Sequence, residues 1–252
     1  MSTPAPVTSI PGGISPALSQ GERVVDTFFA PTKTFTDIRR SASWWLPWLM
    51  GAIFGFALVY TVDKKVGWDK VAENQLQLSP KQAAKVEQLP PDQRERQMAL
   101  SAKITRGFSY GFPVFSLLFV VIIATVLLAT FKFGLGTDMK FSQAYAISMY
   151  AWLPGCIKAV LVIATIMISG GENFTFQNQL ASNLGSLFDP NSSHFLYSVA
   201  SSIDVFSIWI LVLTGIGYQC VTGLKRGTCM AVVFGWWAVV TVGGAAIGSL
   251  FA

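Results

Sequence analysis

The chain has 252 residues, 52% hydrophobic and 12% charged, with a net charge of +5. Its charged fraction is about half that of an ordinary soluble domain, and its mean hydropathy is +0.51. That balance excludes a charge-covered soluble globule. The basic residues are scattered between apolar runs, which excludes a nucleic-acid patch and points instead to an anionic lipid surface.

Residues 1–20, MSTPAPVTSIPGGISPALSQ, are rich in Pro, Ser and Gly and read as a disordered tail. They carry no basic stretch followed by an apolar core, so no cleavable signal peptide is expected. Residues 21–251 read as one membrane domain. Within it, RVVDTFFAPTKTFTDIRR sets Val24, Phe28, Phe35 and Ile38 at near-helical spacing, interrupted at Pro31. Two short amphipathic helices follow, either lying on the membrane plane or packed under a bundle. The pattern fits both.

Five apolar runs come next, at about 44–62, 111–131, 142–169, 203–222 and 229–251. At 1.5 Å per residue each is long enough to cross about 30 Å of hydrocarbon. Continuous runs favour helices over the alternating strands of a barrel. The expected fold class is therefore all-α, a polytopic bundle of five transmembrane helices. Trp44, Trp45 and Trp48 open the first run directly after Arg39 and Arg40. Rings at headgroup level with cations just outside are expected to act as interface anchors.

Residues 63–106 form the one long polar segment. Ser79, Pro80 and Gln82 suggest a capping-box helix start, Pro90 and Pro91 a break, and DQRERQMALSAKITR a helix leading into the second span. A helical hairpin leaning on the bundle and a solvated linker both suit it. A cytoplasmic N-terminus places eight Lys and Arg inside and the loop 170–202, which has none, outside. The nine Lys and Arg of 63–106 oppose that orientation, but short loops carry the rule best.

Lys158, in the middle of the third span, is the leading functional candidate, because an ionisable residue at that depth is rare. Its structural alternative is to reach back to the Tyr150 carbonyl, which Pro154 cannot engage. Asp204 begins a fourth-span stripe that includes Ser207, Thr214 and Tyr218. The stripe should face the bundle interior, with Asp204 capping the helix and the hydroxyls bonding to their own backbone as the plainer reading. A direct Lys158–Asp204 pair is not expected, since the two differ in depth by about 15 Å in a simple hairpin, unless a span is broken. Gly51–Gly55 and Gly244–Gly248 have the spacing that permits close helix packing. Cys156, Cys220 and Cys229 form no CxxC pair. His194 is the sole histidine, so neither a histidine metal cluster nor a Ser-His triad can be assembled. No enzyme activity, cofactor or metal is expected. Asn173 and Asn191 begin glycosylation sequons, which matter only in a eukaryotic secretory compartment.

FFAPTKTFTDIRRSASWWLPW resembles the opening of the Yip family of membrane proteins. The fourth span and its sequel, with Asp204, Phe206, Trp209, Leu213, Gly215, Lys225 and Arg226, is similar to that family's most recognisable stretch, and YAWLPG at 150–155 also fits. The likeness covers about residues 24–251 and implies five spans and a cytoplasmic N-terminus. Eukaryotic members are adaptors that contact prenylated Rab GTPases. The short tail, the tryptophan-rich start and the polar 63–106 segment resemble bacterial members, to which that trafficking role does not transfer. The resulting expectation is a non-enzymatic scaffold or adaptor in a bacterial cytoplasmic membrane, in contact with the lipid bilayer and with protein partners or copies of itself. The alternative is a transporter or channel for a small solute or lipid, working at Lys158, the Pro154 break and the fourth-span stripe.

Overall fold

The computed structural model describes residues 17–188 and 193–251. The tail reading for residues 1–16 and the Asn191 sequon lie outside them. Two helices begin the fold: α1 (Gln20–Phe29) and α2 (Pro31–Ile38). Ser19 and Glu22 form a capping box at the start of α1, with Ser19 N donating to Glu22 Oε2 at 2.7 Å and Glu22 N to Ser19 Oγ at 3.2 Å. The bond from Ser19 depresses the Glu22 carboxyl below its usual range.

The hairpin closes around a buried cation. Arg23 is only 2% exposed. Its Nε donates to Asp37 Oδ2 at 2.7 Å and its Nη1 to the Ser41 carbonyl at 2.9 Å. Thr27 and Thr34 donate to the Arg23 carbonyl. Arg40, placed on the headgroups by its position, also pairs with Asp37. The hairpin is packed under the bundle rather than laid flat on a membrane plane. Phe35 and Ile38 are fully buried in the main core, and Tyr150 OH donates to Gln20 Oε1 at 2.7 Å. Only Val25 and Phe29 keep large exposed apolar surface here.

Five segments are long and apolar enough to cross a membrane. They are α3 (Trp45–Lys65), α6 (Pro91–Ala129, extended by a π-turn to Gly134), the pair α7 (Phe141–Ala151) and α8 (Pro154–Ser169), α10 (Val205–Thr222) and α11 (Arg226–Phe251). Helix α3 packs on α6 and α8, α6 on α7, and α10 on α2, α7, α8 and α11. Two cores result. One joins α2, α6, α7 and α10; the other joins α3 and α8 to the polar segment. Together α6 and its π-turn run 44 residues, about 66 Å and some twice the hydrocarbon thickness, so the charged start of α6 projects beyond any bilayer.

The polar segment leans on the bundle rather than forming a loose linker. It contains α4 (Trp68–Gln77) and α5 (Pro80–Glu87). Trp68 and Val71 of α4 are buried. Asn74 Nδ2 donates to the carbonyls of Glu172 and Phe174 at 2.7 and 3.0 Å, tying α4 to the turn after α8. Ser79 precedes α5, but its side chain makes no capping bond, so the capping box expected there is not formed; Pro80 starts the helix through its fixed φ instead. Helix α9 (His194–Ser202) completes this end, packed on α11.

Glycine spacing misleads at the perimeter. A Cβ at Gly51, Gly55 or Gly244 would meet nothing within 4 Å, so no neighbouring helix approaches closely at those positions. The close approaches occur at Gly215, against Met230, and at Gly217, where a Cβ would lie 2.5 Å from Ile147 Cγ2 and 3.1 Å from Phe35 Cδ1.

Breaking the buried pair in α1–α2 by Asp37→Ala leaves Arg23 without its carboxylate. The substitution is expected to destabilise the protein by about 3–5 kcal/mol, read as a lower midpoint of thermal unfolding in detergent. An unchanged midpoint would show that Arg23 reaches water.

Candidate functional site

The third span is two helices. Chain direction is kept across the interruption at Trp152–Leu153, where the Tyr150 carbonyl accepts from the Leu153 amide at 3.2 Å. That carbonyl does not need Lys158, contrary to the structural alternative drawn from the sequence. Pro154 begins α8, the position where its missing N–H costs nothing. Lys158 falls one turn into α8, where the positive end of the helix dipole disfavours a cation. It therefore needs a carboxylate.

Asp204 supplies it. Lys158 Nζ lies 3.0 Å from Asp204 Oδ2, a pair the simple hairpin geometry excluded. The reason is register. Ile147 packs on Gly217, and from that contact Lys158 is 11 residues along one segment while Asp204 is 13 along the antiparallel other. At helical rise these are about 16 and 20 Å, so the two charges arrive at the same level. The fourth span begins later in space than its apolar composition suggests. Helices α9 and α10 are separated at Ile203–Asp204, just as α7 and α8 are at Trp152–Leu153.

The second break is sealed by chain rather than by side chains alone. Residues 182–184 pair antiparallel with 203–205: Leu184 N donates to the Ile203 carbonyl at 3.1 Å and Val205 N to the Ser182 carbonyl at 3.3 Å. Backbone groups freed by the break thus keep partners. Ser182 Oγ donates to Asp204 Oδ1 at 2.5 Å, so both carboxylate oxygens are engaged, one by an ammonium and one by a hydroxyl. Asp204 makes no side-chain capping bond to α10; its carboxylate is turned to Lys158 instead. Its side chain is 3% exposed and that of Lys158 26%. Gly185 lets the seal close, since a Cβ there would lie 2.1 Å from Ser201 Oγ. The side chains of Asn183 and Ser201 beside it leave Asn183 Oδ1 and Ser201 Oγ buried without partners.

Along the rest of the stripe the threonines bond back to their own helix, whereas the Tyr218 hydroxyl is buried without a partner among the described residues. Thr214 Oγ1 donates to the Ile210 carbonyl at 2.8 Å, and Thr222 Oγ1 to the Tyr218 carbonyl at 2.6 Å. Tyr218 is fully buried and stacked on Phe131 at 4.3 Å between centroids, and Ser207 is half-buried. Among the tryptophans, Trp45 is 50% exposed. Trp44 packs edge-on against Tyr145, and Trp48 Nε1 donates to the Pro113 carbonyl at 3.0 Å. Arg39 is exposed.

Three contributors escaped the sequence reading. Arg23 enters the sequence reading only as one of the eight basic residues placed inside. A signal existed, since Asp37 lies on the same helical face as Thr34 and beside Ile38, an acidic residue on an apolar stripe. Ser182 and Asn183 lie in an irregular segment whose path no periodicity marks. Among the described residues, no three His, Cys, Asp or Glu side chains converge as a metal site would require.

Residues 25–247 match the family model of the Yip1 domain. No curated protein and no solved structure matches the chain.

Lys158→Met strands the buried Asp204 carboxylate and is expected to cost about 3 kcal/mol, whereas Lys158→Met with Asp204→Leu should recover most of that loss. Unfolding midpoints of the single and double variants test this. Additive losses would show that the two side chains are not coupled.

Proposed function

The chain belongs to the Yip1-domain family, an integral multi-pass membrane protein by its five apolar helices, and on that footing we propose that it is a non-enzymatic membrane scaffold or adaptor. The observation that carries this reading is the closed Lys158–Asp204 pair. This pair is satisfied by itself and by Ser182, so it serves to hold α8 and α10 in register. Partner contact falls to the polar end. There α5 and the first turns of α6 stand out from the bundle, exposing Arg94, Arg96 and Lys103. We place the protein in a bacterial cytoplasmic membrane with its N-terminus cytoplasmic, a reading supported by the lack of Lys and Arg in 170–202. Partners are lipid together with another protein or a second copy of the chain.

A second reading, transport of a small solute or lipid, has one specific observation in its favour. The third span is interrupted at Trp152–Leu153, a little over a turn before Lys158 and its charge partner Asp204, and an interrupted helix near a charge pair is what transporter sites use.

Reconstitution in liposomes separates the readings. The scaffold predicts no solute flux or lipid scrambling above protein-free vesicles, and cross-linked partners that disappear with Arg94→Glu, Arg96→Glu and Lys103→Glu combined. Flux that is present in the wild type and lost in Lys158→Met would overturn the scaffold in favour of transport.

A further inference from the structure

A polar groove of about 470 Å³ lies between α9 and the last turns of α11, apart from the Lys158–Asp204 pair. Its position is unusual. Helix α11 is the least covered span, with 11% of its apolar window buried inside the protein. The groove is flanked by Val240, 67% exposed, and Ile247, 61% exposed, so it opens on the surface that meets acyl chains. Hydroxyl groups facing hydrocarbon are costly unless something bonds them.

Three hydrogen-bonding groups in the groove have capacity that the protein does not use. His194, Ser198 and Ser202 share one face of α9, at positions i, i+4 and i+8. Ser198 Oγ accepts from Gln177 Nε2 at 3.3 Å, which leaves its own proton free to donate. Thr241, across the groove on α11, has no hydrogen-bond partner among the described residues. His194 Nδ1 lies 3.1 Å from the Leu78 carbonyl. A carbonyl only accepts, so Nδ1 carries the proton and Nε2 is left for the groove, facing Gly248, whose added Cβ would lie 3.6 Å from it.

We propose that this groove binds a phospholipid. The hydroxyls of Ser198 and Thr241 donate to the phosphate and ester oxygens, and an acyl chain lies along Val240 and Ile247. Two features select a lipid over a soluble anion: the apolar flanks, which a soluble ligand would leave partly wet, and the depth of the site. His194 bonds to Leu78, where the polar segment meets the bundle, so the donors sit at a membrane boundary with the groove running from there along an apolar helix. Gly244 keeps the channel open, since a Cβ on it would meet nothing within 4 Å; a larger side chain there would fill the groove without displacing α9.

The test uses the full chain, delipidated in detergent and titrated with palmitoyl-oleoyl phosphatidylglycerol, with retained lipid counted by native mass spectrometry. The wild type is expected to hold one lipid selectively. Ser198→Ala with Thr241→Val should weaken retention by about tenfold or more, the worth of a hydrogen bond or two to a charged group, and Gly244→Leu should abolish it, circular dichroism confirming an intact helix content for each. Retention equal to wild type in the double variant overturns the proposal even if Gly244→Leu fails to fold. Diacylglycerol retained as tightly as the phospholipid would remove the phosphate from the site, and displacement of the lipid by millimolar inorganic phosphate would show that the ligand is a soluble anion. Either result overturns the assignment.

Discussion

A single ammonium–carboxylate contact sets the level at which the middle of this bundle comes together. Lys158 lies one turn into α8, where the helix dipole repels it, and Asp204 lies at an interrupted stretch of backbone between α9 and α10. Neither is tolerable alone in apolar surroundings, and each makes the other tolerable. Meeting requires that the two spans be offset, with Gly217 admitting Ile147 at one contact and the charges closing further along. The irregular chain at 182–185 follows from the same demand, since a broken helix in a low-dielectric setting must find its orphaned amides and carbonyls new partners.

The same economy recurs at the other end. Arg23 and Asp37 are a second buried pair, and they fasten α1 to α2 so that Phe35 and Ile38 can be pressed into the core. Arg23 also donates to the Ser41 carbonyl, just ahead of the first span, so the hairpin and the start of α3 are held by one guanidinium. The first pair joins spans 46 residues apart in sequence, the second two consecutive helices across a single turn. What the bundle presents to its surroundings is correspondingly plain: apolar faces of α6 and α11, a polar helical projection, and a groove with hydroxyls in it.

Reading the sequence recovered five apolar helices, because about 20 apolar residues in a row have few physical alternatives to a membrane helix. It also recovered the α1–α2 break at Pro31, the interruption at Pro90–Pro91, and Lys158 and Asp204 as the residues out of place in an apolar run. It did not recover their contact. That estimate aligned the third and fourth spans by their apolar ends, whereas the 29 residues of Phe141–Ser169 run past the start of the 18-residue α10. Glycine motifs failed in a related way. Spacing alone nominated Gly51–Gly55 and Gly244–Gly248, while the crowded glycines of α10 are Gly215 and Gly217, and nothing in a four-residue interval says which helices stand at the centre.

Composition, hydropathy and the placement of proline decided that this is a five-span helical membrane protein, because lipid solvation and the geometry of the peptide group act on each segment by itself. Which charges neutralise each other, which glycines are crowded, and where hydroxyls are left without partners were decided only when the helices packed. Those outcomes depend on the offset and rotation of one helix against another, quantities that no single segment encodes and that the whole set of contacts settles at once.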